Sequence, residues 1–324
     1  MVKAVRIHKP GGPEAMVYED VDLAPPGAGE ARIVHKAIGI NFIDVYHRTG
    51  LYPLAAYPGV IGMEGAGLVE AVGTGVTEVK AGDRVAYASP PPGAYAEARN
   101  LKAASLVKLP AESPFENAAG MMLQGMTVEY LLRRTYQVKA GETILIHAAA
   151  GGVGLILCQW AKHIGATVIG TVSSEAKAEL ARAHGCHHPI IYTKENFVER
   201  VKEITNGKLL PVVYDSIGKD TLMKSMECLR TRGLLVSFGQ ASGKLDNFDT
   251  ASLAPRSLYL TRPGLFNYIA TRAELDESAN ALFDVVRAGK VKIDIHHKYA
   301  LKDVRRAHIE LESRKTTGGH ILVP

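Results

Sequence analysis

Cysteine is scarce in this chain: Cys158, Cys186 and Cys228 are the only three among 324 residues. They stand far apart and no CxxC pair exists, which removes zinc ribbons and thioredoxin-type chemistry. A sparse, odd set fits a reducing cytoplasm rather than a secreted disulfide framework. No apolar leader opens the chain either. Charges interrupt the first run, Met1-Val-Lys-Ala-Val-Arg-Ile-His-Lys9, so it does not read as a signal peptide. One stretch, Thr143 to Ala161, lacks Asp, Glu, Lys and Arg. It holds three glycines, His147 and Gln159, and reads as a strand, a turn and a buried helix rather than a membrane span. Charge of one sign is nearly balanced: 38 Lys plus Arg against 33 Asp plus Glu give a net +5. That surplus singles out neither nucleic acid nor membrane. Repeats and low-complexity tracts are absent.

What is present is the composition of a globular protein, 47% hydrophobic and 22% charged. At roughly 150 residues per domain, the length predicts about two domains. The character changes near residue 120. Before it, turns recur at Pro10-Gly-Gly-Pro13, Pro25-Pro-Gly27, Gly73-Thr-Gly75, Ala81-Gly-Asp-Arg-Val85 and Pro90-Pro-Pro-Gly93. Turns this frequent predict an all-β, barrel-like unit.

After about 125, strands alternate with helices. The pattern predicts strands at 143–147, 167–172, 190–192, 212–214, 234–238 and 258–261. Helices are predicted at 153–164, 175–184, 196–205 and 220–229, with a last one over 275–288. This is the spacing of a parallel sheet with right-handed crossovers. The tail returns to strand-like pieces at 291–295 and 319–323, and is expected to fold back onto the N-terminal unit.

Ligands on such sheets bind beyond the carboxyl ends of the strands. The first of these turns is His147-Ala-Ala-Ala-Gly-Gly-Val-Gly154. Its small residues let backbone N–H groups approach a pyrophosphate at a helix N-terminus, so Gly151, Gly152, Val153 and Gly154 are candidates for dinucleotide binding. A plain helix-packing turn is the other reading of the same glycines. NAD sites place an acid about 20 residues on, at the end of the second strand. Here stand Ser173 and Ser174, with Lys177 one turn later. A carboxylate 4 Å from a 2′-phosphate would cost about 4 kcal/mol near a surface. Hydroxyls and an ammonium reverse that sign and favour NADPH. Alternatively, Ser174 caps a helix and Lys177 is a solvated charge; Glu175 lies close to the proposed phosphate. Tyr192, Asp215-Ser216-Ile-Gly218 and Phe238-Gly239-Gln240-Ala241 fall at later strand ends, where they also suit an ordinary aromatic, a helix cap and a turn.

Gly141-Glu142, Leu145, the 149–154 turn, Gln159 and Lys162 together resemble the pattern of the quinone oxidoreductase (zeta-crystallin-like) branch of the medium-chain dehydrogenases/reductases, bacterial NADPH:quinone reductases in particular. The resemblance spans the chain through Asn41-Phe42-Ile43-Asp44, Gly62-Met-Glu-Gly65, Ala81–Val85, Tyr214–Gly218 and Ser313-Arg314. It implies an α/β fold, a Rossmann doubly wound parallel sheet plus a GroES-like β-barrel domain. The catalytic barrel domain would be 1–123 completed by 264–324, and the NADPH-binding domain 124–263, with the active site in the cleft between them. It further implies a homodimer, or a dimer of dimers, joined through the Rossmann sheet. The implied cofactor contacts add Asn41 to Asp44, Tyr46, Thr127 and Arg314 to the strand-end residues. Thr127 alternatively bonds within its own helix, and Arg314 is alternatively a surface charge.

In zinc-dependent relatives a Cys and a His from the N-terminal region hold the catalytic metal; in their places stand Asn41 and Met63. An amide and a thioether do not replace thiolate and imidazole. Residues 86–100, where a four-cysteine zinc lobe would lie, contain no Cys. The paired His187-His188 and His296-His297 lack ligand spacing and read as surface or structural residues. Without a metal to stabilise an alkoxide, the acceptor should already be electrophilic. Quinones meet that condition, and enones or alkenals are the alternative. Asn41, Tyr46 and Tyr52, on the loop expected after Asn41, are the candidate acceptor-pocket residues; stacking suits the phenols better than acid catalysis, given their pKa near 10. Ordinary packed barrel aromatics remain the other reading. One- or two-electron transfer stays open. A dinucleotide-binding structural or single-stranded RNA-binding role is a third reading, disfavoured because the basic stretch from Lys290 to Arg306 carries Tyr299 as its one aromatic.

Overall fold

The computed structural model describes residues 1–324. They divide into two compact units. The first comprises Met1–Met126, Ile269–Asn280 and Ile293–Pro324, and the second Thr127–Tyr268 with Ala281–Lys292.

The first unit opens with β1 (Val2–Ile7), β2 (Met16–Val21), β3 (Glu30–Gly39), α1 (Phe42–Thr49), β4 (Gly59–Val60) and β5 (Glu64–Val72). It continues with β6 (Arg84–Ala88), β7 (Ala98–Lys102), β8 (Val107–Lys108), α2 (Phe115–Ala119) and the start of α3 (Met122–Tyr130). In β3 burial alternates along Ala31, Ile33 and His35, the period-2 pattern of a strand with one covered face. α1 was expected to be a loop. The structure corrects this: Phe42–Thr49 is helical, beginning at Asn41 and stopping at Gly50, which takes φ 80°.

The second unit alternates β9 (Thr143–Ile146), α4 (Gly152–Ile164), β10 (Thr167–Val172), α5 (Glu175–Ala183), β11 (His188–Ile191), α6 (Phe197–Ile204), β12 (Leu210–Asp215), α7 (Leu222–Glu227), β13 (Leu229–Ser237) and β14 (Tyr259–Thr261). The sheet order is β11-β10-β9-β12-β13-β14, every pair parallel. The order reverses at β9, the switch point where such sheets take ligands. β12 is buried along its whole length, as a strand covered on both faces must be. Its core joins Leu145, Ile169, Val213 and Leu235 to Phe197, Val201, Leu222 and Met226 of the helices. Each such side chain contributes about 1.5–3 kcal/mol by leaving water.

After α8 (Leu265–Tyr268) and α9 (Arg272–Arg287), the tail adds β15 (Ile295–Ala300), α10 (Val304–Glu312) and β16 (Gly319–Val323). β16 pairs with β3 and β15 with β16, so the tail completes the seven-stranded sheet β15-β16-β3-β5-β6-β8, with β7 also on β3. The expected strand at 291–295 is corrected as well. Val291 and Ile293 are buried, but ladder pairing starts only at Ile295 opposite Gly319. Alternating apolar burial there comes from coil packed inward. The charge-free stretch divides into β9, a turn and most of α4, and no helix is long and apolar enough to cross a membrane.

Candidate active site

In the second unit, the predicted residues gather at the carboxyl ends of five strands. Gly151–Gly154 follow β9, Ser173, Ser174 and Lys177 follow β10, and Tyr192 follows β11. Ser216 follows β12 and Phe238–Ala241 follow β13. The turn after β9 is tight: Ala148 takes φ 55°, and a methyl on Gly154 would lie 2.3 Å from the Ala148 carbonyl oxygen. Gly170 of β10 is equally constrained, since a methyl there would lie 2.5 Å from Ala149 Cβ. The turn thus presses against its own strand and against β10, and leaves the N–H groups at the start of the 13-residue α4 for an anion.

β10 ends at Val172 with no carboxylate on the next two residues. Ser174 caps α5, accepting from Lys177 N at 3.4 Å, so the capping reading of Ser174 holds. Lys177 is half-buried, and burial lowers its pKa. Glu175 is paired with Lys194 at 3.0 Å, which offsets the charge that stood against a phosphate here. A dinucleotide carrying a 2′-phosphate fits this set: small residues at the turn, hydroxyls and an ammonium at the ribose end.

Beneath the strand ends lies a buried polar cluster. Asp215 accepts from Ile217 N at 2.8 Å, Gly218 N at 3.0 Å, Thr221 Oγ1 at 2.8 Å and Ser225 Oγ at 2.9 Å. His147 bridges Thr171 Oγ1 at 2.8 Å and Ser225 Oγ at 2.9 Å. This fixes the loop bearing Ser216. The next loop leans on it: Ala241 N donates to the Ser216 carbonyl at 3.1 Å, and Arg262 donates to the Gly239 carbonyl at 2.7 Å. Sequence reading did not single out Arg262. Thr127 lies buried on α3.

The first unit holds the other group. Asn41, buried at the start of α1, donates its side-chain amide to Glu64 Oε2 at 2.7 Å and accepts from Gln124 Nε2 at 3.1 Å. Its backbone N–H donates to Asp44 Oδ2 at 2.8 Å, and Tyr95 Oη donates to the same oxygen at 3.0 Å. A one-way chain of donors backs this: Arg48 to His308 Nδ1 at 2.9 Å, then His308 Nε2 to Tyr95 Oη at 3.0 Å. Arg48, fully buried, also grips Glu312 with two bonds of 2.8 Å. Arg314, at φ 59°, lies two residues beyond Glu312. Burial raises Asp44 to about 7 and Glu64 to about 8, the nearby Asp44 charge adding to the latter. The pair therefore carries less than its full negative charge near neutral pH. Phe42, Ile43 and Asp44 share the first turn of α1. Tyr46 and Tyr52 meet edge-on with centroids 5.2 Å apart, and Tyr52 N donates to the Tyr46 carbonyl at 3.0 Å. The sequence reading passed over Glu64 and Gln124 as site residues. A lone acid inside Ile61-Gly-Met-Glu-Gly-Ala-Gly67 was the available clue to Glu64.

Residues 27–140 match the family "Alcohol dehydrogenase GroES-like domain" and residues 152–281 the family "Zinc-binding dehydrogenase". A quinone oxidoreductase of Pseudomonas aeruginosa is 51% identical across the whole of both chains. The chain belongs to the quinone oxidoreductases of the medium-chain dehydrogenase/reductase superfamily. Another member of this family, the Escherichia coli quinone oxidoreductase solved in complex with NADPH, superposes with a TM-score of 0.98 at 50% identity, covering 99% of this chain and all of that one. A 2-haloacrylate reductase of a Burkholderia species is 48% identical over all of this chain and 99% of its own.

A zinc ion does not fit the residues present in this member of the family. The amide of Asn41 is engaged by Glu64 and Gln124, Met63 brings a thioether, and no three His, Cys, Asp or Glu side chains come together in metal-binding fashion. The paired histidines have structural surroundings: His187 Nδ1 accepts from Val168 N at 3.0 Å, and His297 stacks on His320 at 4.6 Å.

Proposed function

We propose that the protein reduces quinones with NADPH, without a metal ion. The observation that carries the cofactor half is the end of β10, where Ser173 and Lys177 stand in place of the acid that would grip a ribose diol. Gly151, Gly152, Val153 and Gly154 receive the pyrophosphate at the positive end of α4. Ser173, Ser174 and Lys177 receive the 2′-phosphate. Tyr192, Ser216, Phe238, Gly239, Gln240, Ala241 and Thr127 line the path toward the nicotinamide. Asn41, Phe42, Ile43, Asp44, Tyr46 and Arg314 supply the remaining contacts. The domain limits that serve this reading are 1–123 with 264–324 for catalysis and 124–263 for NADPH.

Bound NADPH supplies a hydride from its dihydronicotinamide ring. Asn41, Tyr46 and Tyr52 receive the acceptor, the rings as flat walls and Asn41 as a hydrogen-bond donor. A reduced quinone oxygen is phenolate-like and takes its proton from water, so no strong acid is required of the protein. The protein's part is orientation and exclusion of water. We place the protein in the cytoplasm, since its three cysteines are free and buried. We also propose a homodimer through the sheet edge at β14, a three-residue strand that exposes Tyr259.

A second reading is reduction of an electrophilic alkene, favoured by the 48% identity to a 2-haloacrylate reductase. Both readings are tested by following NADPH and NADH oxidation with a naphthoquinone, a 2-haloacrylate, a 2-alkenal and a simple ketone, before and after dialysis against a chelator. We expect NADPH oxidation with the quinone, unchanged by chelation. Activity with the alkene alone selects the second reading. Loss on chelation with recovery on adding zinc refutes metal independence.

A further inference from the structure

Asn41 is held from both ends of its amide, by Glu64 at the nitrogen and Gln124 at the oxygen. An amide has two N–H groups and two lone pairs. The oxygen also faces the Asp44 N–H in the capping box of α1, so one N–H is what remains for a further partner. Glu64 is wholly buried, and the fold makes room for it: a methyl on Gly39 would lie 2.3 Å from Glu64 Oε2. Its other oxygen accepts from Leu123 N at 2.8 Å. Capping α3 explains that second bond. It does not explain why the first oxygen faces an asparagine amide in a space that an apolar side chain could fill at lower desolvation cost.

We propose that Glu64 is a positioning residue for acceptor reduction, holding the Asn41 amide nitrogen so that its second N–H meets the acceptor oxygen. The proposal rests on the reading of Asn41 as an acceptor-pocket residue. An ionised carboxylate only accepts, so it turns the amide nitrogen toward itself. The second N–H of that nitrogen is then available to the acceptor oxygen as it gains charge, where a fixed donor lowers the barrier. A protonated Glu64 is a weaker acceptor, so the nitrogen and its second N–H are held less firmly, while Gln124 and the Asp44 N–H still hold the oxygen. The titratable groups facing Glu64 are Asp44 from α1, Tyr87 from β6 and Tyr95 from the segment before β7. With burial raising Glu64 to about 8, this change in its hold on the amide falls within a measurable pH range.

The test is steady-state kinetics of Glu64→Gln and Asn41→Ala with a quinone between pH 6 and 9, alongside NADPH titration and thermal unfolding. Gln at 64 keeps the volume and copies the protonated acid. We expect its kcat to fall about tenfold at pH 8–9, modest for loss of a fixed donor. Its KM for NADPH should stay within twofold; the unmodified protein is expected to show kcat rising from pH 7 to 9, and that rise should be gone in the variant. Wild-type kcat, or an unchanged pH limb, overturns the proposal. If Asn41→Ala keeps wild-type quinone kinetics, the acceptor-pocket reading falls and takes the proposal with it. If Asn41→Ala is slow while Glu64→Gln is not, the proposal alone falls. Should Glu64→Gln fail to fold, Gln124→Met frees the amide oxygen without touching the acid; a severalfold lower kcat supports the proposal and a wild-type kcat overturns it.

Discussion

Gly154→Ala is the sharpest perturbation of the cofactor turn. In an ordinary helix the change would stabilise by about 1 kcal/mol. Here the new methyl would lie 2.3 Å from the Ala148 oxygen and 2.7 Å from both the carbonyl carbon and oxygen of Ala149. All three are backbone atoms of the turn, so the strand-to-helix connection itself must open. Overpacking of this kind costs about 1–3 kcal/mol. An opened turn also withdraws at least one N–H from the pyrophosphate. A charge-assisted bond is worth about 1.5–3 kcal/mol, a ten- to hundredfold weaker NADPH Kd. The control is Gly151→Ala, whose methyl would meet only the Ala148 oxygen, at 3.3 Å. The assay is thermal unfolding without ligand, followed by fluorescence titration with NADPH. We expect Gly154→Ala to lower Tm by several degrees and to weaken binding, and Gly151→Ala to leave the unliganded Tm in place. A Gly154→Ala protein with wild-type Tm and Kd would refute the argument that close backbone approach fixes this turn.

Other expectations follow from the same geometry. Lys177→Ala should raise the KM for NADPH about tenfold and leave that for NADH unchanged, as loss of one half-buried charge near a phosphate requires; equal effects on both cofactors would move the 2′-phosphate elsewhere. Glu312→Gln should destabilise the first unit by about 3 kcal/mol, because it leaves the buried Arg48 guanidinium without its carboxylate, and chemical denaturation reads that loss. Stability should peak near neutral pH. Burial lowers His35 and His320 to about 4 and His308 to about 3. Their contribution is complete above their unfolded value near 6.5 and is lost as the pH falls toward those values. Burial raises Asp44 and Glu64, whose contribution is complete below their unfolded values and is lost as the pH rises through about 7 and 8. Below 6.5 these three histidines, joined by His47, His147, His187 and His297, which burial also lowers, outweigh two acids; well above it the acids dominate, at up to about 1.4 kcal/mol per proton and pH unit. A Tm that climbs steadily to pH 9 would contradict this balance.

The second unit was legible because parallel strands buried on both faces leave continuous apolar runs. Thr167–Val172 and Gly319–Val323 were bounded to the residue, and the helices to within one or two positions at most ends. Harder segments were those where apolar side chains pack without a ladder, as at Val291 and Ile293. The helix Phe42–Thr49 was hidden because its surroundings read as turns and strands. Among site residues, those on glycine turns and strand ends could be named from local pattern. Glu64 offered only its place as a lone acid in an apolar, glycine-rich run and Gln124 offered nothing, since their partner Asn41 lies 23 and 83 positions away and only the folded chain brings the three amide and carboxyl groups together.

The order of strands has a consequence for biosynthesis. β16, last in the chain, lies between β3 and β15, so the seven-stranded sheet lacks an inner member until residues 319–323 leave the ribosome. All six strands of the parallel sheet have emerged well before that. A chain stopped short of Gly319 should therefore hold a formed parallel sheet and a barrel still open along β3. Limited proteolysis of such a truncation would show residues 127–268 protected and the N-terminal strands cut.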